Sequence, residues 1–277
     1  MSIKQIVKRG PTYIIKGTPI KKTVSEISYL SPSETLKGKK IIITGGGSGL
    51  GLAMARKFIQ EKAEVLIAGR NEKKLQDAAQ KLGCKYLQLD VTDCHSFKTF
   101  MENAAKELGG FNVLVSNAGV SLHENSFFEV TPESFDIQIN TNFKGSFFLA
   151  QQFISYLKEV KQKGSILFIS SETGTTVDCR PYGYTKAAIN SMTKGLAHLF
   201  AKDEIRINAI APGITASDMT GLSCEGNIYF PGNIIERVYM PEEVAETACF
   251  LISDAAGCIS GEIITCNNAK TVNPRWK

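Results

Sequence analysis

The chain is poor in histidine, has no paired cysteines and carries no long apolar run. Its three histidines, His95, His123 and His198, share no metal-ligand spacing. The seven cysteines, Cys84, Cys94, Cys179, Cys224, Cys249, Cys258 and Cys266, are scattered, odd in number and free of CxxC pairs. These absences argue against a zinc site and a disulfide framework, and predict a metal-free protein of a reducing, cytoplasmic compartment. No apolar run approaches the ~20 residues that span a bilayer, and the N-terminus lacks the apolar stretch of a signal peptide. No membrane segment is therefore expected. No linker or low-complexity tract interrupts the pattern, so the 277 residues read as an N-terminal extension, 1–36, and one large domain, 37–277.

The net charge of +5 is unevenly placed. Residues 1–40 hold nine Lys/Arg and two Asp/Glu, a net +7, and the other 237 residues sum to −2. The basicity belongs to the extension, so the domain offers no basic surface for nucleic acid. A stretch such as Ile3-Lys4-Gln5-Ile6-Val7-Lys8-Arg9 fits an acidic partner or a membrane surface. A solvated arm, or a short extension packed on the domain, is preferred because no long amphipathic pattern is sustained.

What the chain does have is alternation. Short apolar runs recur at Ile41–Ile43, Glu64–Ala68, Tyr86–Leu89, Phe111–Val115, Ile166–Ile169, Ile205–Ile210 and Ile263–Thr265. Most are β-branched and nearly continuous in hydrophobicity, as in strands buried on both faces. Helical patterns lie between them, at Leu50–Glu61, Glu72–Leu82, Ser96–Leu108, Pro132–Gln162, Pro181–Ala201 and Pro241–Ser253. This order predicts an α/β fold with a doubly wound parallel sheet flanked by helices. Ligands of such sheets bind beyond the carboxyl ends of the strands. Thr44–Gly51, Gly69-Arg70, Asp90, Asn117-Ala118-Gly119, Ser170-Ser171 and Pro212-Gly213 all fall on that one rim.

The turn Thr44-Gly45-Gly46-Gly47-Ser48-Gly49-Leu50-Gly51 follows a strand and opens a helix. Glycines there let backbone N–H groups approach a pyrophosphate, and the helix N-terminus adds attraction. Gly69-Arg70 bears on the cofactor. An acidic residue at the second strand end would hold ribose hydroxyls and repel a 2′-phosphate. A guanidinium suits NADP(H) instead, with Ser48 and Asn71 as secondary phosphate contacts, while NAD(H) stays open. Asp90, with Val91 beside it, either meets the adenine amino group or caps the next helix. Small residues at Asn117-Ala118-Gly119 let backbone approach the cofactor.

Tyr182 and Lys186, after a helix-starting Pro181, share one helical face. An ammonium ~5 Å from a phenol, at an effective dielectric of ~20, favours the phenolate by ~3 kcal/mol, or about two pKa units. That predicts a tuned proton donor in Tyr182, while Tyr184 points to the other face. Ser171 can hydrogen-bond a substrate oxygen, and Ser170 should point away if the pleat persists. Asn142, a poor helix former inside a long helical pattern, either holds a water or marks a kink.

These residues, in this order, resemble the short-chain dehydrogenase/reductase family in its single-domain, Rossmann-like form, from about Leu36 to Thr265. The matching signatures are Thr44-Gly45-xxx-Gly49-x-Gly51, Asn117-Ala118-Gly119, Asn142, Ser171, Tyr182-xxx-Lys186 and Pro212-Gly213. The resemblance implies Tyr182 as acid/base, Ser171 as ligand of the substrate oxygen, Lys186 as ribose and relay residue, and Asn142 as the fourth relay member. It implies Asp90 at the adenine, Ile214 backbone at the nicotinamide carboxamide, and Ser217 where the family usually has threonine. It further implies a homo-oligomer, tetramer or dimer. Two departures stand out. The Ser171–Tyr182 interval is about two residues short, narrowing the loop with Cys179 and Arg180, and Asn267-Asn268-Ala269 replaces an Asp-Gly-Gly type turn.

The expected function is interconversion of a ketone and a secondary alcohol. A 3-oxoacyl–acyl-carrier-protein reductase, with Arg180, Lys144 and Lys194 as a basic dock, and a sugar or polyol dehydrogenase are the alternatives. A non-catalytic NADPH-binding regulator is the reading from another class. A lid over Asp218–Glu236, with Met219, Leu222, Ile228, Tyr229 and Phe230, points to a partly apolar substrate or merely to lid packing.

Overall fold

The computed structural model describes residues 34–272, so residues 1–33 of the basic extension lie outside it. Seven strands, β1 (Lys40–Thr44), β2 (Glu64–Gly69), β3 (Lys85–Gln88), β4 (Val113–Ser116), β5 (Gly164–Ile169), β6 (Ile205–Pro212) and β7 (Ile263–Cys266), form one sheet. Its order is β3-β2-β1-β4-β5-β6-β7, and every pairing is parallel. The chain winds outward from β1 to β3, then returns to β4 on the other side of β1. That reversal opens a crevice between the carboxyl ends of β1 and β4.

The apolar runs are continuous because both faces of the sheet are covered. Ile41 and Ile43 of β1 join Val65, Ile67, Val113 and Val115 in one core. Ile42 joins Leu66, Leu114, Ile166 and Phe168 in the other. Successive side chains of a strand point to opposite faces, so each run feeds both cores in turn. Helices α1 (Gly49–Gln60), α2 (Glu72–Leu82) and α7 (Pro241–Ile252) cover the first face. Helices α3 (Phe97–Leu108), α5 (Gly145–Glu159) and α6 (Pro181–Leu199) cover the second.

The helical pattern over Pro132–Gln162 proves to be three pieces. α4 (Pro132–Gln138) passes into a π-helical segment, Ile139–Lys144, before α5 begins. A side chain at Gly145 would overlap the Val91 carbonyl oxygen, so the helix runs hard against the loop after β3. The wide π turn accommodates that approach and carries Asn142.

The C-terminal turn forms without the glycines common in the family. Asn268 (φ 49) and Ala269 (φ 63) both take the left-handed conformation. Such a backbone costs a residue with a Cβ roughly 1–2 kcal/mol. The turn is tied by Lys270 N–H to Asn267 O at 3.1 Å, and Gly213 N–H donates to Cys266 O at 3.0 Å. No described helix is long and apolar enough to cross a membrane.

Candidate active site

Gly45, Ser48, Gly49, Leu50, Asn117, Ala118, Gly119, Ser171, Tyr182, Lys186, Pro212, Gly213 and Ser217 line one cavity of about 520 Å³ at the switch point. The glycine turn is built for close approach. Gly45 (φ 67) is left-handed, and a Cβ there would come within 2.8 Å of Asn117 Nδ2. A Cβ at Gly51 would strike the Gly45 carbonyl oxygen, so Gly51 lets the helix close on the turn and does not itself face the cavity. Gly47 has only ordinary contacts with Leu75, at 3.5 Å, and does not line the cavity. Ser48 is the N-cap of α1, yet its side chain makes no capping hydrogen bond. The first N–H groups of a helix have no partner within it, so this end presents donors, a hydroxyl and a positive dipole. A dinucleotide pyrophosphate fits that cradle.

Asn117 reaches the cavity wall with its side chain already committed. Its Nδ2 donates to Thr44 O at 2.9 Å and Gly45 O at 3.2 Å. Thr44 Oγ1 in turn accepts the N–H groups of Asn117 and Ala118, each at 3.0 Å. The two strand ends that frame the crevice are thus stitched together by Thr44, 1% exposed, which sequence reasoning took only as part of the turn. Thr44→Val keeps the shape and strands two N–H donors. It is expected to destabilise the protein by about 2 kcal/mol in urea unfolding.

Asn142 does not reach the cavity. It is buried, its Oδ1 accepts Val120 N–H at 2.8 Å, and its Nδ2 donates to Val120 O at 2.8 Å and Thr185 Oγ1 at 3.2 Å. Both amide atoms fix the loop after β4, and the residue lies in the π-helical segment, where a poor helix former marks a break. Thr185, on α6 between Tyr182 and Lys186, was not anticipated in this part. Arg70, Asp90 and Val91 lie beyond the cavity on the same rim, toward β2 and β3. Arg70 is exposed, and its guanidinium makes no hydrogen bond or ion pair among the described residues. Asp90 Oδ1 accepts the N–H and hydroxyl of Thr92 at 2.9 and 2.8 Å and shapes the turn after β3, while the N-cap of α3 is Ser96. Asn71 caps α2 by accepting Lys74 N–H at 2.9 Å. The Ile214 carbonyl accepts Tyr239 N–H at 3.0 Å.

Tyr182 and Lys186 stack along α6, with Lys186 Nζ 5.4 Å from the Tyr182 ring centroid. The ammonium lies over the ring and donates to Ile169 O at 2.8 Å. The expected net depression of the phenol is therefore overturned. Burial raises Tyr182 above the usual phenol range, opposed by a hydrogen bond from Ser171 and by the charge of Arg180. Burial also lowers Lys186 to about 8. At neutral pH the pair is a neutral phenol beside an ammonium. Ser171 closes β5 with its hydroxyl at the cavity, accepting from Thr173 N–H at 3.3 Å. Ser170 turns its hydroxyl into α6, donating to Asn190 Oδ1 at 2.6 Å. Tyr184 is 49% exposed on the other side of the helix.

In the shortened loop, Arg180 is paired with Asp178, with Nε–Oδ1 at 3.1 Å and Nη2–Oδ2 at 3.2 Å. Neither Arg180 nor the exposed Cys179 lines the cavity. In the lid, Leu222, Ile228 and Phe230 pack with Ala216 and Val238 in a core of their own, so they say nothing of the substrate. Met219 and Thr220 face the cavity with Val120 and Ser121. His123 Nε2, 2.8 Å from Met219 O, straps the lid to the loop after β4.

A family model described as enoyl-(acyl carrier protein) reductase matches residues 45–268. The chain is a short-chain dehydrogenase/reductase. It is 31% identical over 247 residues to the 3alpha-hydroxysteroid dehydrogenase of Mediterraneibacter gnavus, covering 84% of this chain and 97% of that protein. It is 34% identical over 239 residues to the 3-oxoacyl–acyl-carrier-protein reductase of Thermotoga maritima, covering 83% and 96%. The crystal structure of a 3-ketoacyl–acyl-carrier-protein reductase from Brucella melitensis complexed with NADH superposes with a TM-score of 0.80 at 26% identity, covering 86% of this chain and 100% of that one. The chain is accordingly a nicotinamide-dependent oxidoreductase acting on CH–OH and C=O groups of a small molecule.

Proposed function

We propose that this dehydrogenase/reductase is an NADPH-preferring ketone reductase whose proton donor is Tyr182. The observation that carries the reading is the convergence of Ser171, Tyr182, Lys186 and the glycine turn on one cavity. NADPH, when bound, supplies the hydride. Ser171 then holds the substrate oxygen, and the Tyr182 phenol, protonated at neutral pH, releases its proton to that oxygen. Lys186, with its ammonium over the ring, steadies the phenolate that remains. Asn142 acts from behind, fixing the Val120 wall. The same groups run the reverse oxidation at higher pH, where the base form is more populated.

NADPH is preferred because Arg70, at the end of β2, has no ion-pair partner among the described residues, and no carboxylate at that strand end repels a 2′-phosphate. Losing one charge-assisted contact of this kind costs ~1.5–3 kcal/mol, so Arg70→Ala should weaken NADPH by about 10–150-fold and leave NADH unchanged. A fluorescence titration of both cofactors decides it. Equal binding by the native protein would move the preference to NADH. A 3-oxosteroid and acetoacetyl-CoA are the first substrates to try. Turnover of the thioester alone would favour the carrier-protein branch, although Arg180 is tied to Asp178 and leaves Lys144 and Lys194 as the dock.

Residues 37–277 act as one domain in this reading. A homo-oligomer is favoured by the apolar residues exposed near one another in sequence on α4 to α6, among them Phe135, Ile137, Phe147 and Phe148. A cytoplasmic setting agrees with seven free cysteines.

A further inference from the structure

Ser171 is followed by a carboxylate that the reaction does not use. Glu172 is 8% exposed, its Oε1 accepts from Lys270 Nζ at 2.6 Å, and its Oε2 accepts from Asn267 Nδ2 at 3.3 Å. Lys270 also donates to Asn233 Oδ1 at 3.3 Å. Asn233, 2% exposed within the lid, donates to Ile214 O at 3.3 Å and Arg237 O at 2.8 Å. Three segments remote in sequence therefore meet at one ion pair: the Ser171 turn, the base of the lid and the C-terminal turn. The cavity wall rests on it directly. A Cβ at Gly213 would come within 3.1 Å of Glu172 Oε2 and 3.0 Å of Asn267 Cβ.

Burying the Glu172 carboxylate is costly, and its partner Lys270 keeps 26% of its side chain exposed, so the pair adds little stability over an apolar equivalent. What it can add is a fixed arrangement. The C-terminal turn needs one, because Asn268 and Ala269 are both left-handed without glycine, a backbone that persists only when its surroundings over-determine it. Lys270 follows those two residues and is the anchor.

We propose that Glu172 and Lys270 are positioning residues whose ion pair clasps the lid base and the C-terminal turn onto the Ser171 turn, setting the substrate wall of the cavity. The proposal rests on the reading of that cavity as the reductase site, but its test does not need turnover. Hydrogen exchange over residues 214–239 is measured on the full chain with NADPH, for the native protein, Lys270→Met, Glu172→Gln and the double variant. Lys270→Met should speed lid exchange by about tenfold or more, because it leaves a buried charge unpaired. The double variant should recover most of that change. In the same proteins the KM for acetoacetyl-CoA or the 3-oxosteroid should rise about tenfold in Lys270→Met, while NADPH affinity moves less than threefold. Lys270→Gln, which removes the charge but keeps a donor to the carboxylate, should speed lid exchange in the same direction by less, and serves if Lys270→Met does not fold. Native lid exchange in a folded Lys270 variant overturns the clasp. So does an effect that persists at full size in the double variant, because the pair would then not carry it. A native protein that turns over neither substrate would count against the reductase reading and leave the exchange result standing.

Discussion

Tyr182→Phe is expected to lower kcat for ketone reduction by about 10²–10⁴-fold while leaving NADPH affinity within about twofold. The ring stays, so its contact with the Lys186 ammonium and its packing in α6 are kept. The glycine turn and Arg70, which would hold the phosphates, are untouched. Only the transferable proton is removed. Burial keeps that proton on Tyr182 at neutral pH, which suits reduction, where an acid is needed. Ser171 is a poor substitute, because its hydroxyl accepts from Thr173 and an aliphatic hydroxyl is a far weaker acid than a phenol. Tyr184→Phe, on the exposed side of the same helix, is the control and should be silent. Single-turnover absorbance at the nicotinamide band separates the outcomes. Loss of cofactor binding with turnover would mean a structural role, and unchanged turnover would move the proton donor elsewhere. A Tyr182→Phe protein that retained its biological activity without turnover would favour a binding regulator.

The strands and their order on the rim were legible because each imposes a local pattern. β1 and β5 are continuous apolar runs only because both faces are covered. α2 spans Glu72–Leu82 as its periodicity predicts, with Asn71 capping one end and left-handed Gly83 closing the other. The same local logic placed Tyr182 and Lys186 on one face. What was not legible depends on where distant backbone passes. The π turn at Ile139–Lys144 answers to the Val91 carbonyl, which no pattern within 132–162 could report. Asn142 carries a signal as a poor helix former, but its partners Val120 and Thr185 are set by the fold. Lys270 and Glu172 lie 98 residues apart, and neither belongs to a motif.

The electrostatics of the Tyr/Lys pair failed for a different reason. Spacing along the helix gave a sound distance, since the ammonium lies 5.4 Å from the ring centroid. Spacing gave no measure of burial and no direction for the ammonium. Lys186 points its hydrogen bond at Ile169 O, and the desolvation of the phenol outweighs the hydrogen bond from Ser171 and the charge of Arg180.

Lys186 itself then yields the second large effect. Lys186→Met is expected to abolish turnover, by about 10³-fold or more if ribose placement and phenolate stabilisation are both lost. The same change should raise stability at pH 7 by about 1.5 kcal/mol. Lys186 is 5% exposed, and burial lowers its pKa from 10.5 to about 8. That difference corresponds to roughly 3 kcal/mol. Below pH 8 the residue is protonated in the folded and unfolded states alike, so the whole cost is present at neutrality. As pH rises from about 8 to 10.5 the unfolded chain holds the extra proton, and stability climbs. Methionine has comparable length and no charge to desolvate. It gives up the hydrogen bond to Ile169 O, worth about 1.5 kcal/mol at the lower end for a charged donor. Urea unfolding at pH 7 and pH 10 tests both signs, with the native protein gaining on the variant as pH rises. A variant less stable than the native chain at pH 7 would mean that the ammonium is held by more than one carbonyl. A more stable, inactive variant would show that the cleft keeps a buried charge for its chemistry and bears the cost in the fold.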